Sequence, residues 1–173
     1  MEKLQHYYTT QLEDYTKNLY HSLAISIPEQ VDIMDVAQKL NVWVYFAPIG
    51  SCAIERNGLA SIILDERKTP QEQFEDFGHE IAHLLYHAGN QLQMPKMFLE
   101  YQEAKAQNFA MHFCIPTFML RDMLLPATKS EAINMLSNTF NVTPALAERR
   151  LTHYEQQVLS SRLHDMIRTQ YAV

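Results

Sequence analysis

Residues 69–89 constrain this chain more than any other stretch. Thr69 can cap a helix, Pro70 suits its first turn, and Glu72 completes a capping box. The run FEDFGHEIAHLLYHA follows with apolar residues at helical spacing, and Gly89 is a natural stop. Phe74, Phe77, Ile81, Leu84 and Leu85 are the side chains that would bury this helix. His79 and His83 stand four apart on it, and residues four apart share a helix face. Glu80 lies one step round from His79.

His79-Glu80-Ile81-Ala82-His83 therefore reads as HExxH. Two imidazoles on one face can bind one zinc ion through ring nitrogens, and the glutamate can take a proton from a water bound there. Zinc lowers the pKa of such a water to roughly 7, so the base needs only modest strength. With 8 His in 173 residues, chance supplies about 0.03 such matches per chain. Catalytic zinc takes three protein ligands and keeps one position open, so a third ligand has to come from elsewhere. A metzincin would place a histidine six residues after His83, where this chain has Gly89. His87 lies a further turn along and suits the helix C-terminus, where a donor or cation is favoured. The next helix, expected over 98–115 and ended by Pro116, offers Glu100, Glu103 and His112. Glu103 is the best candidate, because Ala106 and Ala110 on its face let that helix approach closely. Glu100 is the alternate, and Gln107 can orient a ligand histidine.

The remaining chain supplies the frame. A helix is expected over 4–23 and a short one over 31–40. NVWVYFA (41–47) reads as a strand, and 51–55 and 59–64 as two more around Asn57-Gly58, a strong hairpin signal. Helices follow over 117–125, 130–140 and from Pro144 to about Arg168. The fold expected is α+β, mostly helical, with a small three-stranded antiparallel sheet next to the HExxH helix. Residues 1–125 form the metallopeptidase unit, and 126–173 a helical subdomain packed on it. A net charge of −6 and a pI near 5.7 argue against phosphate-backbone binding as the main activity. Cys52 and Cys114 form no framework, and Cys114 reads as a small buried hydrophobe. With no signal-like start and no long apolar run, the expected location is cytoplasmic, without membrane association.

Glu103-Ala-Lys105-Ala-Gln107-Asn-Phe109-Ala-Met-His-Phe-Cys-Ile115-Pro116 adds a second motif. Together with HExxH it resembles the ImmA/IrrE-type metallopeptidases, whose HExxH is followed by a helix reading ExEANxFAxxLLMP. The first Glu, the Ala, the Phe-Ala pair and the closing Pro are kept, while Lys105 replaces an acidic residue and Gln107 an Asn or Asp. The resemblance covers residues 32–154. It implies zinc held by His79, His83 and Glu103, with Glu80 as general base. It also implies a site-specific cytosolic endopeptidase that cuts a helix-turn-helix repressor and so releases transcription. The alternative is a non-catalytic zinc-containing protein that sequesters the repressor by binding.

INMLSNTFNVTPALAERRL (133–151) itself resembles a helix-turn-helix. Its second helix offers few base-reading side chains, so direct DNA binding is not expected, and packing beside the catalytic unit is. Tyr101, Arg149, His153 and Tyr154 are unranked candidates for stabilising an oxyanion.

Overall fold

The computed structural model describes residues 7–86 and 96–171. The first helix, α1 (Gln11–Ser22), starts later than periodicity suggests, because Thr10 caps it in a box with Glu13. Residues 4–6 of the longer helix expected there lie outside the described residues. A short 3-10 turn, Pro28–Gln30, leads into α2 (Ile33–Lys39), with Asp32 accepting the Asp35 N–H as its cap. Three strands follow: β1 (Val42–Ala47), β2 (Cys52–Arg56) and β3 (Leu59–Asp65).

The sheet order is β1-β3-β2. β2 and β3 form the expected antiparallel hairpin, and Asn57 (φ 53°) and Gly58 (φ 76°) both take the left-handed conformation that a tight hairpin turn demands. β1, however, pairs with β3 in parallel, Val42 opposite Ala60 through Ala47 opposite Asp65. The expectation of a purely antiparallel sheet is thus corrected to a mixed one. Ile62 and Leu64 of β3 are fully buried, so the most buried strand takes the centre. The stretch between β1 and β3 holds β2 and its turn, and β3 re-enters in the direction of β1.

The metal-motif helix is α3 (Pro70–Tyr86). Its start is as expected: Thr69 Oγ1 accepts the Glu72 N–H at 3.3 Å, and the Glu72 carboxylate accepts the Thr69 N–H at 2.9 Å. Gly89, His87 and the Met94-Pro95 loop lie outside the described residues. α4 (Lys96–Cys114) packs closely on α3, with Ala106 and Ala110 buried in between as their small size suggests. The two helices come close at Gly78. A Cβ there would stand 3.1 Å from both Cys114 Sγ and Phe113 Cδ1, and 3.5 Å from the Ala110 Cα. Gly78→Ala gains about 1 kcal/mol of helix propensity but overpacks this contact by roughly 1–3 kcal/mol. The expected result is a net loss near 1 kcal/mol in chemical denaturation. A severalfold loss of metal affinity against a competing chelator should accompany it, since the two helices carry different ligands.

α5 (Thr117–Arg121), α6 (Lys129–Phe140) and α7 (Pro144–Tyr171) complete the chain, with α5 ending before the residue 125 expected. Leu136, Val142, Ala147 and Leu151 join the same buried cluster as Phe77 and Ile81, and Thr143 N–H donates to Glu75 of α3 at 2.6 Å. Arg150 is fully buried. Its Nε donates to the Ile115 carbonyl at 2.9 Å and its Nη2 to Thr117 Oγ1. Thr117 and Tyr7 hydroxyls each donate to Glu13 Oε1 at 2.6 Å, and Arg150 Nη2 lies 3.9 Å from that oxygen.

His112 sits beside this network, 2% exposed, with its ring 5.0 Å from that of His153. Burial, then the Arg150 charge, pull its pKa down to about 3, so the folded protein holds it neutral. The unfolded imidazole takes up a proton below about 6.5, so the unfolded state binds the extra proton between the two values. Stability should therefore decline as pH falls from about 6.5 toward 3, by about 1.4 kcal/mol per pH unit for this one group. Denaturant midpoints across that range should be flatter in His112→Phe. Part of the residual slope would belong to His153, which burial shifts the same way, and at the acid end part to Glu13 and Asp65, whose carboxyls hydrogen bonds hold low.

Candidate metal centre

α3 and α4 bring His79, His83 and Glu103 together. The two imidazoles follow from the helix repeat, and Glu103 enters from the facing helix. His79 Nε2 and His83 Nε2 are 3.0 Å apart. Glu103 Oε2 lies 3.1 Å from the first, and its Oε1 lies 3.3 Å from the second. Tetrahedral coordination with bonds of about 2.0–2.1 Å separates ligand atoms by roughly 3.3 Å. The three side chains thus converge at the spacing of one metal ion's ligand shell. They are the one such three-ligand group among the described residues, so the residues present fit a metal with an open position. The site is accessible, for the Glu103 side chain is 47% exposed and that of His79 23%.

Glu80 is 9% exposed on the flank of α3 that faces β2. Burial pushes its carboxyl above the usual range; His79 and a hydrogen bond from the Ala53 amide pull the other way, and Asp76 and Glu103 add to the rise. The result is a carboxylate with raised proton affinity beside the three ligands, the character a general base needs. Cys52 stands close by. Burial and then the Glu80 charge raise its thiol, and it is outside the ligand group.

Other candidates are placed elsewhere. Glu100 pairs with Lys96 at 3.7 Å on the solvent side of α4, 65% exposed, and does not join the ligands. His112 lies nine residues beyond Glu103, about 13.5 Å along the helix. Gln107 is exposed and, among the described residues, hydrogen-bonds neither histidine. Tyr101 carries Lys105 Nζ 4.5 Å above its ring and points about 160° round α4 from Glu103. His153 packs on His112, Tyr154 stacks on Tyr7 at 5.5 Å, and Arg149 is exposed. Arg150, part of the basic pair in the helix-turn-helix-like stretch, is buried and unavailable to a phosphate. Composition and spacing gave no sign of the Ser51–Asp76 hydrogen bond, because it depends on how β2 lies along α3.

Residues 37–152 match the IrrE N-terminal-like domain of the peptidase M78 family, a span that takes in both helices of the ligand group and the sheet. The chain belongs to that family. Among curated relatives, the phage-like element PBSX protein XkdA of Bacillus subtilis (strain 168) is 45% identical over 150 residues, 87% of this chain and 76% of that protein. The uncharacterized protein YqaB of the same strain is 38% identical over 152 residues, 88% of each chain. For a peptidase M78 member, a His-His-Glu group beside a buried glutamate is a metallopeptidase-type arrangement. Among the described residues no helix is long and apolar enough to cross a membrane.

Proposed function

We propose that this chain is a zinc-dependent endopeptidase that cleaves a helix-turn-helix transcriptional repressor at one site. The observation that carries the reading is the convergence of His79, His83 and Glu103 at ligand spacing, with Glu80 buried beside them. Nitrogen and carboxylate donors in this number suit zinc. Zinc would supply Lewis acidity and lower the pKa of a coordinated water to roughly 7. Glu80, buried beside the ligand group, accepts the proton of the attacking water and can return it to the leaving amine. β2 is a sheet edge next to α3, and an extended peptide can hydrogen-bond to such an edge, which favours an unfolded or looped segment of a protein as substrate. The repressor as target rests on the resemblance to the ImmA/IrrE-type metallopeptidases, and the 45% identical relative is named for a phage-like element. A cytoplasmic location accords with such a target.

Metal analysis of protein purified without chelators should give about one zinc per chain. Incubation with a repressor encoded beside the gene should give two discrete fragments by mass spectrometry. Absence of stoichiometric zinc, or an intact repressor after incubation with zinc-loaded protein, would overturn the reading. Relief of repression by uncut binding would point to sequestration instead.

A further inference from the structure

The sheet has a second edge, β1, on the side away from β2. Its one strand neighbour is β3, and among the described residues no hydrogen bond reaches the backbone of 42–46 apart from the ladder to β3. Half of its N–H and C=O groups therefore point away from the sheet. Natural edges are blunted by charge, proline or a bulge, because such an open row is a template for another strand. β1 reads Val-Trp-Val-Tyr-Phe-Ala in an unbroken register and has none of these. Trp43, Tyr45 and Phe46 are 59%, 53% and 48% exposed.

The strand is complementary to itself. A two-fold axis normal to the sheet makes a second β1 antiparallel to the first and keeps both helix layers on one side, so opposite residues share a face. With the axis at Val44, Trp43 faces Tyr45 of the second copy, Val42 faces Phe46, and Val44 faces its own equivalent. Aromatic and aromatic–β-branched cross-strand pairs are stabilising, and the symmetry forms each of them twice. No charge enters the contact, which suits a chain of net charge −6 whose copies otherwise repel. About half of three aromatic side chains is roughly 300–400 Å² per copy. With the strand backbone the pair reaches about 1,000 Å², the lower end of a specific interface. α3 packs on β2 and β3, so the junction leaves both metal centres open.

We propose that this chain forms a two-fold dimer through β1, joining two three-stranded sheets into one of six strands, with Trp43 against Tyr45 of the second copy. The inference rests on the sheet and not on the peptidase reading.

Light scattering on the full chain, together with emission from its one tryptophan, tests it. At about 100 µM the mass should be that of two chains, falling to one toward about 1 µM. Trp43 emission should move to longer wavelength over the same dilution. Hydrogen exchange read by mass spectrometry should quicken severalfold in peptides covering 42–46, with those covering 60–64 unchanged. Tyr45→Asp should hold the chain monomeric at every concentration with its fold kept, since that side chain is more than half exposed. Adding Trp43→Lys sets a lysine opposite each aspartate and should restore association, read by mass alone. Ile54→Asp, on the same face but on β2, should leave the dimer intact. A monomer at 100 µM overturns the proposal. So does a dimer that persists in Tyr45→Asp or is lost in Ile54→Asp, for the contact then lies elsewhere. No restoration in the double variant overturns the register about Val44. Should Tyr45→Asp fail to fold, the concentration dependence of exchange over 42–46 in the wild type decides.

Discussion

Glu80→Gln is expected to abolish repressor cleavage in practice, lowering the rate by about 100-fold to 10,000-fold, with zinc content unchanged. The amide fills the same volume, but it cannot take up a proton. None of the three ligand side chains is touched, so the metal should stay. The fold should not suffer either. Burial raises the Glu80 carboxyl, which means that the ionised form is held at a cost, and a neutral side chain removes that cost. The measurement is a time course of fragment formation beside metal analysis and a thermal melt of the same samples. A variant that cuts at the wild-type rate removes Glu80 from the role of base. A variant that fails to cut yet still relieves repression in cells would show that binding is the physiological act.

Arg150→Met should cost about 3–5 kcal/mol, the largest stability effect expected of one substitution here. Arg150 is fully buried, and its charge is the cation nearest Glu13, itself 4% exposed. Burial alone would raise the Glu13 carboxyl, but hydrogen bonds from Thr117, Tyr7 and Thr10 outweigh it, so the net direction is down and the group is ionised. Methionine fills the space and leaves that carboxylate without its counter-charge and the Ile115 carbonyl without its donor. For a domain of this size the melting temperature should fall by about 10 °C. The paired change Glu13→Gln with Arg150→Met should recover part of the loss, because breaking a buried pair costs more than replacing it. A loss under 1 kcal/mol for Arg150→Met would mean that water or a shifted side chain already screens the pair. The network matters to the site through α4, since Ile115 follows the C-terminus of the helix that carries Glu103.

Much of the candidate site could be read before any fold was known. HExxH needs one helix, and the Thr69 cap, Pro70 and the apolar residues of 74–85 specify that helix locally. The hairpin was equally local, because Asn57-Gly58 takes the left-handed turn with little strain. Sheet order was not. The β-branched and aromatic residues of 42–47 say that β1 is a strand, but which strand it lies beside depends on where Ile62 and Leu64 are buried, so a parallel neighbour replaced the antiparallel one expected. The burial of Arg150 was hidden for the same reason. Nothing local sets it apart from Arg149, and only the packing that brings it onto Glu13, Ile115 and Thr117 takes it to the interior.

His79, Glu80 and His83 were determined by the sequence alone, because a helix repeat of 3.6 residues sets their common face whatever surrounds it. Glu103 was singled out by small residues on its face and by the resemblance of its helix. Choosing it over Glu100 took the antiparallel approach of α4 to α3 at Gly78, which turns one carboxylate to the histidines and the other to Lys96. The Ser51–Asp76 hydrogen bond belonged to the tertiary structure entirely. It joins the start of a strand to a helix across about 25 residues of chain, and no local periodicity encodes a contact between elements that meet only when the core closes.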